Sequence, residues 1–362
     1  VRLATFNVAL SRRGSGVLLK ELTEGSAEID AVVEIILRVR PDILFLNELD
    51  RDAENRALAR FVALLAAGRD GMEGIEYPYA FAGPVNTGIR SGVDFDGDGK
   101  TGGPRDAYGY GRFPGQYGMA VLSRFPLETG RVRTFQLLPW AAMPGALRPV
   151  LPDGSPYRPD EVWAARRLSS KSHWDLPVRL PDGRALHLLA SHPTPPVFDG
   201  PEDLNGRRNH DEIRFWADYL DGAAWIADDA GTAGGLPGGV AFAILGDLNA
   251  DPVDGEGRQE AIRALIAHPL VQDPAPASEG AAAATAAGEA SAAHDGDGAL
   301  DTADWSETGA GNLRVDYVLV SRNLRIAGAG VFWPAPGEPG ADLLAASDHR
   351  LVWVDIALER AE

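Results

Sequence analysis

Helical and strand-type hydrophobic periods alternate along this chain from end to end, with no break in composition and no short internal repeat. That alternation restricts the fold to a mixed α/β (α+β) class, and it favours one domain over 1–362 to two joined by a linker. EIDAVVEIILRVRP (28–41) sets Ile29, Val32, Val33, Ile36 and Leu37 on one helical face and is stopped by Pro41. NRALARFVALLAAG (55–68) predicts a second amphipathic helix closed by Gly68, HDEIRFWADYLDGAAWIADDA (210–230) a third, and 259–267 a short fourth. Strands are predicted at 3–8, 42–50, 117–127, 240–247, 313–321 and 351–358, with two more around the Asp-Gly turn of 174–192. Residues 83–117, rich in Gly, Asp, Tyr and Arg, predict a long insertion, the Pro-rich 139–160 a loop, and 275–312, which opens on an Ala/Gly/Ser stretch, a second insertion read as loop.

The apolar runs do not end at random. They finish in, or adjoin, residues able to handle a metal or a proton: Asn7 after LATF, Glu48 after DILFLN, His192 after LHLLAS, Asp247 and Asn249 after AILG, and Asp316 within RVDYVLV. SDHR (347–350) adds Asp348 and His349 just before the last strand. Taken singly, each has a plainer reading as a turn former, a solvated acid or a satisfied polar group. Taken together, they recur where loops leave a rigid sheet, which is where catalytic groups tend to sit.

These segments resemble the endonuclease/exonuclease/phosphatase superfamily. TFNV, LNELD, YGMAVLSRFPL, ASHPTPP, ILGDLNADP, RVDYVLVS and SDHRLVWVDI appear in that family's order between residues 3 and 356, and GDLN followed much later by SDH is the most specific part. The resemblance implies a four-layer sandwich of two mixed β-sheets flanked by helices, with the site at one end of the sheets. It implies a divalent-metal-dependent hydrolase of phosphate esters using Mg2+ or Mn2+, the cations suited to oxygen ligands with retained water. Glu48 would be the main metal ligand with Asn7 beside it, and Asp348 would complete the shell. His349 would take a proton or hold a phosphate oxygen while Asp316 fixes its other ring nitrogen. Asp247 and Asn249 would line the water and the scissile phosphate, and His192 would meet a phosphoryl or leaving oxygen. Which group acts as base is left open.

Basic residues near these motifs are candidates for substrate binding: Arg166, Arg167, Lys171 and His173 in 164–174, and Arg207, Arg208 and His210 in a segment read as opening a helix. Ordinary solvated charge is an equally good reading of them. DFDGDGKTGGPRD (94–106) places Asp94, Asp96 and Asp98 at alternate positions with Gly99 sixth, like the start of a calcium loop. Arg105 stands where an EF-hand carries Glu and Asp106 comes one step late, so the expectation is an irregular structural Ca2+ loop. Asp295, Asp297, Asp301 and Asp304 are less regularly spaced and read as loop.

Composition decides among partners. A net charge of −18, from 34 basic and 52 acidic residues, argues against a passive DNA-binding module. It still permits a nucleic acid as substrate, because a bound cation inverts the local field. The absence of long basic tracts favours a small or exposed phosphoester, with an exported nuclease as the alternative. Trp140, Trp163, Trp174 and Tyr110 offer stacking surfaces, but core packing is the expected role of most. The chain has no cysteine, which removes disulfides, thiolate metal sites and cysteine nucleophiles. A Ser–His–Asp hydrolase is excluded by the lack of a GxSxG elbow. A non-catalytic, calcium-stabilised binding module should have lost some of Glu48, Asp247, Asn249, Asp316 and His349, and all five are present. No apolar run reaches membrane-spanning length. Val1 without a preceding Met suggests a removed signal peptide or a trimmed chain, and the expectation is a secreted or periplasmic monomer.

Overall fold

The computed structural model describes residues 1–358. Two six-stranded mixed sheets face each other. The first runs, in spatial order, Ile326–Val331, Val352–Ile356, Arg2–Asn7, Ile43–Asn47, Met119–Ser123 and Tyr79–Phe81. The second runs Arg133–Thr134, His173–Arg179, Ala185–Ser191, Ala241–Asp247, Asp316–Ser321 and Val271–Gln272. Each sheet has one parallel pair at its centre, Arg2–Asn7 with Ile43–Asn47 and Ala185–Ser191 with Ala241–Asp247, and antiparallel pairs elsewhere. Strands buried on both faces need continuous apolar runs, which is why AFAIL and ILFL lack polar alternation.

Residue parity assigns the faces. Leu3, Ile43, Phe45, Met119 and Val121 of the first sheet pack against Trp174, Leu176, Leu188, Ala190, Ala243, Leu245, Val318 and Val320 of the second. The intervening Ala4, Phe6, Leu44 and Leu46 turn outward onto three helices, Val17–Glu24, Ala27–Val39 and Arg56–Ala67. On the far side Leu189, Phe242, Ile244, Tyr317 and Leu319 receive Ile213, Phe215, Trp216 and Tyr219 from the Leu204–Leu220 helix and Ile262 and Leu265 from Glu260–Ile266. Each such buried Leu, Ile or Phe contributes about 1.5–3 kcal/mol against exposure. The result is the expected order of helices, sheet, sheet, helices.

Some elements differ from the expectation. The helix expected at 210–230 is Leu204–Leu220, ending at Asp221 and a left-handed Gly222. Arg208 is therefore well inside it, so the anion-binding helix start expected around 206–212 does not exist. The stretch read as loop at 275–293 holds a helix, Glu279–Ala287, capped by the Ser278 side chain, which accepts from the Ala281 N–H. Its alanines are the best helix formers, and reading them as low complexity concealed that. The Pro-rich 139–160 segment leads into a helical turn, Asp160–Ala165. Trp140 and Trp174 are fully buried core residues, and Tyr110 is exposed. Among the described residues no helix is long and apolar enough to cross a membrane.

Candidate active site

Following the inner faces to one end of the sandwich, the apolar lining changes to polar. Asn7 and Asn47 continue the parity of Leu3 and Phe45, and Asp247 that of Ala243 and Leu245; Asp316 opens the run of Val318 and Val320. The register places Asn7 beside Asn47 and Asp316 opposite Asp247. Gly246 (φ 150°) permits this packing, because a β-carbon there would collide with the carbonyl oxygen of Ser191, next to His192.

Asp247 is the hub. Its Oδ2 accepts from Asn7 Nδ2 (3.0 Å) and Asn249 Nδ2 (3.3 Å), and its Oδ1 from the Asn249 backbone N–H (2.9 Å). His192 Nε2 lies 3.3 Å and His349 Nε2 3.7 Å from Oδ2. His349 Nδ1 is 2.9 Å from Asp316 Oδ2, which also accepts from the Thr302 hydroxyl at 2.9 Å. Burial opposes ionisation of Asp247, but the His349 charge and the His192 and Asn7 hydrogen bonds outweigh it and hold the carboxyl well below the usual range. Burial raises Asp316 to about 6, only partly offset by His349. Burial opposes charge on His349 too, yet Asp316 and Asp247 raise it to about 10. Both partners of the His349–Asp316 pair move upward, so the pair retains a proton at neutral pH. His192 moves the other way, lowered by burial and by Lys171, and is neutral.

Glu48 sits at the same end, in a left-handed backbone (φ 58°), and accepts from the Ser11 hydroxyl at 3.2 Å. Its charge acts on Lys171 and His192. A non-glycine residue in that conformation is uncommon, and the strain re-aims the carboxylate where the strand ends. Lys171 is buried, and its ammonium donates to the Pro193 carbonyl at 3.3 Å. Burial lowers its pKa, against the pull of Glu212, Glu48 and Asp247.

Of the residues expected at the site, Asn7, Glu48, Lys171, His192, Asp247, Asn249, Asp316 and His349 share this end. Asp247, Asp316 and His349 form one group of potential metal donors, with ligand atoms within 4.8 Å of one another. The expected ligand Glu48 is outside that group, whereas Asn7 touches it through Asp247. Asp348 departs from expectation: it is exposed, and its carboxylate accepts from Trp305 Nε1 at 3.0 Å. Arg208 is not free for substrate, since it donates to the Leu168, Tyr108, Arg167 and Ser169 carbonyls. Arg166 is buried against Phe95 and donates to its carbonyl. Arg167 donates to Asn86 Oδ1 and lies over the Tyr108 ring, and His173 is spanned between Ser169 and the Glu212 carbonyl. In the 94–106 loop the carboxylates that gather within 4.8 Å are Asp94, Asp96 and Asp106. Asp98 is replaced by Asp106 because the chain doubles back, with Asp106 accepting from the Phe95 and Gly103 N–H groups.

Sequence reading missed Asn47, whose Oδ1 accepts from Thr5 and, at 3.4 Å, from the Asp247 N–H. It also missed Thr302, Trp305 and Ser347. Trp305 meets the His349 ring edge-on at 5.4 Å, and Ser347 ties the SDH segment to the Asn7 carbonyl. Thr302 and Trp305 lie in the second insertion, so no strand-end signal marked them. Among the described residues, the buried atoms Asn47 Nδ2, His192 Nδ1 and Asp316 Oδ1 of this end lack a protein partner. Such orphans are costly unless a ligand or water completes them. Together with the carboxylates they fit a hard divalent cation and an oxyanion.

A two-sheet sandwich with carboxylates, amides and imidazoles gathered at one end defines the class. The chain belongs to the Endonuclease/Exonuclease/phosphatase family, whose model matches residues 4–349 and whose members are metal-dependent phosphoesterases. Among solved structures, an endonuclease/exonuclease/phosphatase from Beutenbergia cavernae DSM 12333 is 20% identical, with a TM-score of 0.56 over 99% of this chain and 71% of that one. A family protein from Leptotrichia buccalis C-1013-b is 15% identical, with a TM-score of 0.50 over 99% of this chain and 100% of that one. The mannosyl-6-phosphatase Bt3783 of Bacteroides thetaiotaomicron VPI-5482 is 11% identical, with the same TM-score of 0.50, covering 99% of this chain and 100% of its own. These likenesses concern the fold. No curated protein matches the chain.

Proposed function

We propose that this protein hydrolyses a small or exposed phosphoester with the help of Mg2+ or Mn2+. The observation that supports this best is Asp247, a buried carboxylate on which Asn7, His192, Asn249 and the His349–Asp316 pair converge. Glu48, Asn7 and Asp247 would hold the cation, which when bound neutralises phosphate oxygens and favours attack by water. Asp247 and Asn249 orient the water and the ester; Asn249 presents its amide beside the carboxylate from a left-handed turn (φ 52°). His349 carries a proton whose position Asp316 fixes through Nδ1. His192 is neutral and donates through Nε2 to Asp247, which leaves its unpartnered Nδ1 an acceptor for a proton of the attacking water or of a substrate hydroxyl. Lys171 adds buried positive charge near the phosphate.

The test is a panel of bis(nitrophenyl) phosphate, nitrophenyl phosphate, plasmid DNA and sphingomyelin under magnesium, manganese, calcium or chelator. Turnover of a small diester or monoester with magnesium or manganese, abolished by chelator, supports the reading. Preference for plasmid DNA would make the protein a nuclease, and no metal-dependent turnover of any substrate would refute it. Glu48→Gln is expected to weaken the response to magnesium far more than thermal stability, read as apparent metal affinity beside the melting temperature. Equal losses would remove Glu48 from the metal site.

The Asp94, Asp96 and Asp106 carboxylates support a second proposal, a calcium-stabilised loop. Calcium is expected to raise the melting temperature of the parent protein and of Asp98→Asn, but not that of Asp106→Asn. An Asp106→Asn variant that still responds fully would move the ion elsewhere.

A further inference from the structure

Away from the proposed site, the chain gathers cations that its own acids leave poorly neutralised. Arg148, Pro149, Tyr157, Arg158, Trp163 and Arg166 line an open cleft of about 200 Å³, including its solvent mouth. Arg166 is only 7% exposed, and its Nη2 donates to the Phe95 carbonyl at 2.9 Å. Arg158 donates to the Phe95, Asp96 and Tyr157 carbonyls and to the Tyr157 hydroxyl. Arg148 donates to the Arg158 carbonyl, and its guanidinium lies 5.9 Å from the Trp163 ring centre. These acceptors are neutral. Among the described residues no carboxylate oxygen lies within the 4.0 Å ion-pair distance of Arg158 or Arg166. Among the described residues Arg148 makes its ion pair with Asp160, whose side chain is 89% exposed. Asp106 attracts Arg166 and Asp94 attracts Arg158, but the oxygens of both acids are already occupied by backbone N–H groups.

A buried guanidinium without a counter-charge is costly. Burial, together with repulsion from Arg208 and Arg158, pushes Arg166 down to about 9. The positive field also runs towards the site, because Arg208 acts on Arg166 and on Lys171, and Lys171 on His192. In a chain of net charge −18 this concentration is not a by-product of composition.

We propose that the Arg148–Arg158–Arg166 cleft is an anion subsite that takes a single oxyanion, a phosphate or sulfate group. The donors that Arg148 and Arg166 leave unused are the ones that would hold it, with the planar forks suited to oxyanions. The enclosed part of the cleft is about 10 Å³, room for one water, so the oxyanion would sit at the solvent mouth. The group comes either from a second phosphate on the substrate, which rests on the phosphoester reading, or from free inorganic phosphate, which does not.

Two measurements test this. Crystals soaked in tungstate should show an anomalous peak at the mouth of the cleft beside Arg148, and calorimetry should find inorganic phosphate bound about tenfold or more weakly by Arg148→Gln. Arg166→Gln repeats the test from the buried side, and half-buried Arg148 keeps it decisive should the Arg166 variant fail to fold. No peak in the cleft, together with unchanged phosphate affinity of Arg148→Gln, overturns the proposal. In the second measurement, Arg148→Gln raises KM about tenfold at similar kcat for a nitrophenyl diester carrying a second phosphate, and leaves bis(nitrophenyl) phosphate unaffected. Binding without that KM change identifies free phosphate as the occupant. If neither ester is hydrolysed, the phosphoester reading fails while the binding data still decide the cleft.

Discussion

Asp247→Asn is expected to lower phosphoester turnover by about 10³-fold or more, the scale on which placed acid–base and electrostatic groups act. The reason lies in the donors around it. Oδ2 accepts from two amides, with an imidazole nitrogen at 3.3 Å, and Oδ1 accepts a backbone N–H. An asparagine must turn its NH2 towards one of these donor groups, losing an acceptor and an anion together. It also removes one of the two carboxylates that sustain the charge on His349. Steady-state kinetics with bis(nitrophenyl) phosphate, beside near-ultraviolet circular dichroism to establish folding, measures the effect. A folded variant within tenfold of the parent would show that Asp247 is a structural carboxylate.

His349→Ala is expected to cost about 10²–10⁴ in turnover if His349 moves or holds a proton. It carries a second signature that does not depend on activity. The folded pKa of His349 is about 10 against an ordinary 6.5, so the stability contributed by the His349 charge is lost as pH rises from about 6.5 through 10. In metal-free protein the melting temperature should therefore fall between pH 7 and 10 more steeply for the parent than for His349→Ala. Parallel curves would mean that the histidine is not held charged between Asp316 and Asp247. Asp316→Asn should give an intermediate loss of turnover, because the amide oxygen can still accept from His349 Nδ1 but the anion that sustains the charge on the ring is gone.

Much of the scaffold could be read from hydrophobic period. The 28–41 helix is Ala27–Val39 and buries Ile29, Val32, Val33, Ile36 and Leu37, and the 55–68 helix is Arg56–Ala67. Continuous apolar runs marked the central strands. Elements whose residues carry no such signal were lost. Examples are the alanine-rich Glu279–Ala287 helix and the Ile326–Val331 strand, where two glycines dilute the pattern. The basic segments misled for another reason. Arginine type does not reveal direction, and Arg166 and Arg208 turned inward to satisfy carbonyls that loops leave unpaired.

The sequence by itself determined which strand ends carry carboxylate, amide or imidazole, because side-chain period and the punctuation of apolar runs are local properties. Only the tertiary structure decided that Asn7 reaches Asp247 across 240 positions, that Asp348 faces Trp305, and that Asp106 displaces Asp98 in the acidic loop. These depend on which sheets face each other and in what register. That choice is made by burial summed over the whole inner face, and no short stretch of chain encodes it.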